Sequence, residues 1–307
     1  MNLINILQKI TKQKVLFPFY HAVAEKPLPH IKHLYRMKTI TEFQNDLGFL
    51  LKHYEPVDIE ILHNLLVNKI VPQKPVFHLT FDDGLKEIYE VVAPILVKKG
   101  IPATFFINSG FAGNKGLFYR YQASLALDEL TLGGNLTNPM KKEILSITYN
   151  DRHKLFQYFS QKQVEDFLNR ETPYLTVEQI KSLSAQGFTI GAHSVDHPHY
   201  YEIPLDEQLR QTRESLNFVT SIVDQKWRLF AFPFTDYKVF KQFFDTIKPD
   251  VDLSFGTAGL KNDEVPYHHQ RIEGEKANIQ SIESVLIKEH IKYVVKSFLK
   301  KNHIRRK

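Results

Sequence analysis

Short apolar runs that alternate with helix-patterned segments constrain this chain more than any other feature. The runs 15–20, 76–81, 103–108, 188–192, 229–234 and 252–255 read as strands. In 41–54, Phe43, Leu47, Leu50 and Leu51 recur at helical spacing, with Thr41 as a suitable N-cap. The segments 87–99, 176–185, 205–223 and 238–247 read as further helices; Gly100 and Gly187 close the first two, and Pro94 is expected to kink its helix. Strands separated by helices imply parallel strands joined by crossovers. About seven such units predict an α/β fold, a (β/α) barrel that is seven-stranded and distorted. An open doubly wound sheet is the second arrangement of the same elements. The segment 110–174 departs from the pattern: it is polar, rich in helix formers, and reads as a helical insertion. One domain is expected over 1–287, followed by a basic tail at 288–307. In a barrel, reactive side chains should cluster just after the strands, at the C-terminal face.

Composition narrows the chemistry. The 307 residues include no cysteine, so a disulfide framework and thiolate metal sites are excluded, and any metal must use His, Asp or Glu. The apolar runs are far shorter than the roughly 20 residues that span a bilayer. Of the net charge of +6, the last twenty residues alone supply +7, which leaves the body near −1. A broad nucleic-acid surface is therefore not expected. Lys288, Lys292, Lys296 and Lys300 recur every four residues, with Ile291, Val294, Val295, Phe298 and Leu299 between them. Such a basic amphipathic helix either lies on an anionic membrane or docks on its own domain with its lysines in solvent. The N-terminus, MNLINILQKITKQK, has no basic n-region, no sustained apolar stretch and no small-residue cleavage site. A cytoplasmic location is expected, with peripheral contact at the inner membrane face through the tail.

Three strand ends carry candidate chemistry. Thr80-Phe81-Asp82-Asp83-Gly84 closes one strand with two carboxylates and a glycine turn, which lets both face the barrel mouth; read alone, it is also an ordinary solvated turn. His193 and His197 stand four residues apart after another strand, a spacing that lets two imidazoles meet one ion. Pro198 argues for a loop there, and two polar loop histidines are the plain alternative. His21 ends the first strand, where a lone histidine is usually structural. Together they are more specific than apart. One Asp and two His form a three-ligand site with a position left for water. A second carboxylate can take that water's proton, and a histidine can protonate a leaving amine or alkoxide. These parts suffice to hydrolyse an amide or ester.

The motifs TFDDG (80–84) and HSVDH (193–197) with the following Pro198 resemble the polysaccharide deacetylases, the NodB-homology fold of family 4 carbohydrate esterases. Segments 40–57, 101–107 and 175–200 are similar to family segments as well, so the likeness runs from about residue 15 to residue 271, apart from the insertion. The resemblance implies Asp82 as general base, and Asp83, His193 and His197 as ligands of a divalent metal, zinc first, with nickel or cobalt as alternatives. The family's third motif, Arg-x-Pro-Tyr/Phe, stands here as Ala231-Phe232-Pro233-Phe234, without its arginine. Phe234 would offer its backbone N–H to an oxyanion, and Arg271 is a candidate replacement for the guanidinium from another strand. The late Leu-x-His motif finds no match at Tyr267-His268-His269. In the branch of the biofilm poly-N-acetylglucosamine deacetylases an early Tyr-His takes that role, and 16–23 is similar to it, which implies His21 as the acid. The expected activity is thus metal-dependent removal of acetyl groups from N-acetylated sugars of a polysaccharide or glycoconjugate, with an acetylated carbohydrate as partner. An O-acetyl esterase and a non-catalytic carbohydrate-binding relative are the alternatives.

Overall fold

The computed structural model describes residues 3–275 and 281–307. Its main sheet has eight strands: β1 (Pro18–Tyr20), β2 (Leu79–Phe81), β3 (Ala103–Ile107), β4 (Thr189–Ala192), β5 (Leu229–Ala231), β6 (Leu253–Gly256), β7 (His268–Gln270) and β8 (Ile272–Glu273). Neighbours run in the order β7-β6-β5-β4-β3-β2-β1-β8, and every pair is parallel. The two outer strands are consecutive in the chain. β7 pairs with β6, the next residue but one pairs with β1, and the turn-over falls at Arg271. The Arg271 N–H still bonds to the Gly256 carbonyl (3.1 Å), whereas the Ile272 N–H bonds to the Phe17 carbonyl (2.8 Å). One chain pass therefore serves as two strands and closes the barrel. This is why eight strands appear where the sequence predicts seven.

Two expected strands are interrupted. The run 15–20 splits at Phe17 and the run 76–81 at His78, so that Val15–Leu16 and Val76–Phe77 join Glu55–Pro56 in a separate three-stranded sheet. His78 is buried at the break and held by the Val57 carbonyl and the Thr104 hydroxyl, each at 2.8 Å.

The helices are α1 (Leu3–Thr11), α2 (Ile40–His53), α3 (Ile59–Val67), α4 (Ala93–Lys99), α5 (Tyr119–Leu132), α6 (Asn138–Ser146), α7 (Gln161–Glu171), α8 (Val177–Ala185), α9 (Leu205–Ile222), α10 (Lys241–Ile247) and α11 (Ile282–Phe298). Thr39, not Thr41, caps α2: its side chain accepts the Glu42 N–H, and the Glu42 carboxylate accepts the Thr39 N–H at 3.0 Å. Pro94 lies inside a continuous helical run: a π-turn at Ile88–Val92 leads straight into α4, and the missing Pro94 N–H falls where the two meet.

The layer between strands and helices is aromatic-rich, with Phe81, Phe105, Ile190, Phe230 and Phe232 buried in one cluster with Phe43, Leu96 and Phe243, while Phe17, Phe106, Leu229, Ala231, Leu253 and Phe255 form a separate cluster. The insertion, α5 to α7, builds a second cluster around Tyr121, Leu127, Ile144, Leu155 and Phe167, which also takes in Ala22, Leu85 and Tyr174 near the strand ends. No helix among the described residues is long and apolar enough to cross a membrane.

The region expected as a tail is built into the body. α11 docks through Val285, Leu286 and Tyr293 and contacts α1 and α2, while Ile291, Val295, Phe298 and Leu299 stay exposed. The helix ends at Phe298, and His303–Ile304 pairs in parallel with Asn262–Asp263. Arg306 is then buried between Asp236 and Asp263, beside His268. Those three residues are close enough to hold a cation, and here the guanidinium takes that place. Removing one partner of a buried ion pair leaves the others desolvated and unpaired. Arg306→Met should therefore lower the unfolding free energy by about 3–5 kcal/mol in urea titrations.

Candidate active site

Four strand ends and one turn deliver the functional side chains to a single cavity of about 320 Å³, whose lining includes His21, Asp82, Asp83, His193, His197 and Phe234. Asp82 remains in register, with its N–H on the Tyr20 carbonyl at 2.9 Å. Asp83 (φ 72°) and Gly84 (φ 67°) are both left-handed, which turns the chain sharply and brings both carboxylates to the same end of the barrel. After β4, Ser194 (φ 68°) and His197 (φ 62°) make the loop that Pro198 suggested, fastened by the Ser194 hydroxyl on the His197 N–H at 3.0 Å. Four of the ten non-glycine residues with positive φ among those described, Asp83, Ser194, His197 and Phe234, lie at this site. Backbone strain is concentrated there, at about 1–2 kcal/mol per residue.

Asp83 Oδ1 lies 3.2 Å from His197 Nε2 and 3.5 Å from His193 Nε2. That oxygen is buried and has no hydrogen-bond donor among the described residues. The His193 Nδ1–H is committed to the Ala231 carbonyl at 2.9 Å, which leaves the Nε2 lone pair turned toward Asp83. Burial pushes the His193 imidazole down to about 4, so it is neutral, as a ligand must be. Tyr121, from the insertion, donates to the other Asp83 oxygen at 2.6 Å. A carboxylate and two imidazole nitrogens converging on one point fit a divalent ion of the zinc type.

Asp82 is held differently. The guanidinium of Arg271 grips it with two parallel bonds of 2.7 Å, and a third donor contact reaches Thr80 at 3.1 Å. Arg271 is fully buried, with its guanidinium carbon 4.5 Å from the Phe19 ring centroid. Burial favours the neutral acid, but the Arg271 charge outweighs it and holds the Asp82 carboxyl below its ordinary value. The guanidinium missing at Ala231 is thus supplied from the last barrel strand. His21 Nδ1 pairs with Glu275 at 2.8 Å, and the same carboxylate accepts the His21 N–H at 3.0 Å. Burial lowers the imidazole, yet the hydrogen bond and charge of Glu275 more than compensate and raise it to about 9. Among the described residues the Phe234 N–H meets no acceptor, while its ring stacks on His199 at 3.8 Å and on the edge of His197 at 4.5 Å.

All six residues singled out from the sequence converge. Sequence reasoning missed Glu275 and Tyr121. Glu275 sits in a short charged stretch with no motif, and Tyr121 in an insertion whose tyrosines carry no spacing signal.

The family model for polysaccharide deacetylase matches residues 69–241, more than half of the chain. The chain belongs to the polysaccharide deacetylase family. No curated protein sequence matches it. Among solved structures, the deacetylase PplD of Streptococcus pyogenes, in complex with acetate, is 17% identical over 85% of this chain and 92% of its own, with a TM-score of 0.57. IcaB from Ammonifex degensii is 17% identical over 90% and 96%, at 0.58. A de-N-acetylase from Aggregatibacter actinomycetemcomitans is 15% identical over 88% and 99%, at 0.56. These likenesses bear out the barrel fold. In this deacetylase fold the Arg271 fork sets the orientation of Asp82, and a lysine keeps the charge but not the fork. Arg271→Lys should lower turnover by about 10- to 100-fold, measured as acetate release.

Proposed function

We propose that this deacetylase-family chain removes the acetyl group from an N-acetylated sugar of a glycan in a divalent-metal-dependent reaction, with zinc as the first candidate. The observation that carries the reading is the division of labour between the two adjacent carboxylates. Asp83 faces two imidazole nitrogens, whereas Asp82 is reserved by Arg271 and lies 3.9 Å from His193 Nε2.

A divalent ion held by Asp83, His193 and His197 would lower the pKa of a water and polarise the acetyl carbonyl. Asp82, ionised by its arginine, takes a proton from the water as the water oxygen bonds to the acetyl carbon. The Phe234 N–H donates to the oxygen on which negative charge develops. His21, protonated through Glu275, gives its proton to the sugar nitrogen as the C–N bond breaks, and acetate and the free amine leave. Phe19, Leu34, Tyr35 and Phe118 line the same cavity and limit water around the reacting group.

Metal analysis and acetate release from an N-acetylglucosamine oligomer test the reading together. Wild type should hold about one zinc per chain, and His193→Ala should lose it. Asp82→Asn should keep the metal and lose about 10²- to 10⁴-fold in kcat. Full turnover by Asp82→Asn would overturn the assignment, and tight metal binding without hydrolysis of any acetylated sugar would favour a carbohydrate-binding protein.

The acid gives a pH test. His21 works while protonated, so activity is present below its pKa of about 9 and is lost as pH rises through it. Glu275→Gln removes the anion that raises it, and the alkaline limb of the kcat profile should move to lower pH. An unmoved limb would exclude His21 as the acid.

A further inference from the structure

A second cavity, of about 590 Å³, adjoins the catalytic one across two stretches of backbone: Phe234 and Thr257 line the first, and Thr235 and Ala258 the second. Its lining carries the cations Lys238, Lys261, Arg305 and Lys307 and the aromatic rings of Tyr237 and Phe240, which are 64% and 57% exposed. The one side-chain carboxylate in the lining is Asp236, which is buried and engaged by Arg306. Among the described residues none of those four cations is paired with an Asp or Glu side chain; Lys238 Nζ lies 5.3 Å from the Tyr237 ring centroid.

The cations are held in place by the fold. His303–Ile304 is a strand, and exposure alternates from it to the last residue: His303, Arg305 and Lys307 are exposed, Ile304 and Arg306 less so. Arg306 ties the segment to Asp236 and Asp263, and Lys241 fixes the last residue by donating its N–H to the Lys307 carbonyl at 2.8 Å. The inward arginine thus sets the direction of the outward cations. Lys238 itself is left-handed (φ 60°), which follows from the same sharp turn after Phe234.

We propose that this cavity is a subsite for a negatively charged substituent, a phosphate or a carboxylate, carried by the glycan on a unit next to the acetylated sugar. Exposed aromatic rings suit the apolar face of a sugar, and unpaired cations beside them suit its anionic substituent. The position beyond Phe234 favours the substrate itself as occupant, and a body of net charge near −1 makes a general polyanion surface a poor fit. The proposal rests on the deacetylase reading for what fills the adjoining cavity.

The test compares binding of a neutral N-acetylglucosamine tetramer with that of the same tetramer carrying one phosphomonoester, by calorimetry on the full chain. Wild type should bind the phosphorylated tetramer about tenfold more tightly at low salt, with the preference fading as salt rises. A variant with Lys238→Asn, Arg305→Gln and Lys307→Gln should lose the preference and keep both its affinity for the neutral tetramer and its rate of acetate release. Asn is chosen at 238 because it tolerates the left-handed backbone. The double variant without the change at 238 guards against misfolding and should lose part of the preference. Equal wild-type affinity for the two tetramers would overturn the proposal, as would a preference that survives in the triple variant. Loss confined to binding of phosphatidylserine vesicles would also overturn it, marking a membrane contact instead. Binding is read without turnover. A phosphate preference with no acetate released would therefore leave the subsite standing while the deacetylase reading failed.

Discussion

The structure depends on one buried side chain. Arg271 sits where the last chain pass leaves one neighbour strand and joins another, so it marks the closure of the barrel. The same side chain carries the fork that orients Asp82. A guanidinium so deep in the barrel is tolerable only because nearly all of its hydrogens are used, on Asp82, Thr80 and the Gly256 carbonyl, and because its faces rest near Phe19 and Phe106. Barrel closure and the ionisation of the proposed base thus have a common cause.

Around that centre, charge is sorted rather than pooled. Two adjacent carboxylates would repel each other if both were left bare. Here each has its own surroundings: Asp82 is paired with the arginine, whereas Asp83 accepts from the Tyr121 hydroxyl and turns its other oxygen toward two imidazoles. A third carboxylate, Glu275, pairs with the His21 ring and accepts from the His21 and Ala22 N–H groups. Asp82 and Asp83 line the cavity and Glu275 stands behind His21, so the three carboxylates have three separate sets of partners. The insertion takes part as well, since Tyr121 comes from α5 and its aromatic cluster borders the cavity through Phe118.

The basic end of the chain follows the same logic. Its excess charge gives the protein a high pI, yet the fold divides it: the α11 lysines remain in solvent, Arg306 is buried against two carboxylates, and Arg305 and Lys307 flank the second cavity. The net charge of a segment says little about its role until the backbone decides which side chains face inward.

Much of the fold and the centre of the site were legible in the sequence. Apolar runs at strand period, a glycine after two aspartates, and two histidines bracketing a tight turn before a proline are local patterns, because each reflects what neighbouring residues do to one backbone segment. The α2 cap was misplaced by two residues because Thr39 and Thr41 each have a capping-box residue three positions on, Glu42 and Gln44. The rest was decided in three dimensions. The polar run from His268 to Glu273 gave no strand signal, since it becomes a strand only by pairing with β6 on one side and β1 on the other. Arg271 lies 189 residues from Asp82, and Glu275 lies 254 from His21. A motif fixes the residues it contains, but partners so far apart in the chain meet only when the barrel closes. The sequence by itself therefore marked the candidate side chains, because motifs are local, and the tertiary structure decided which charges lie against them.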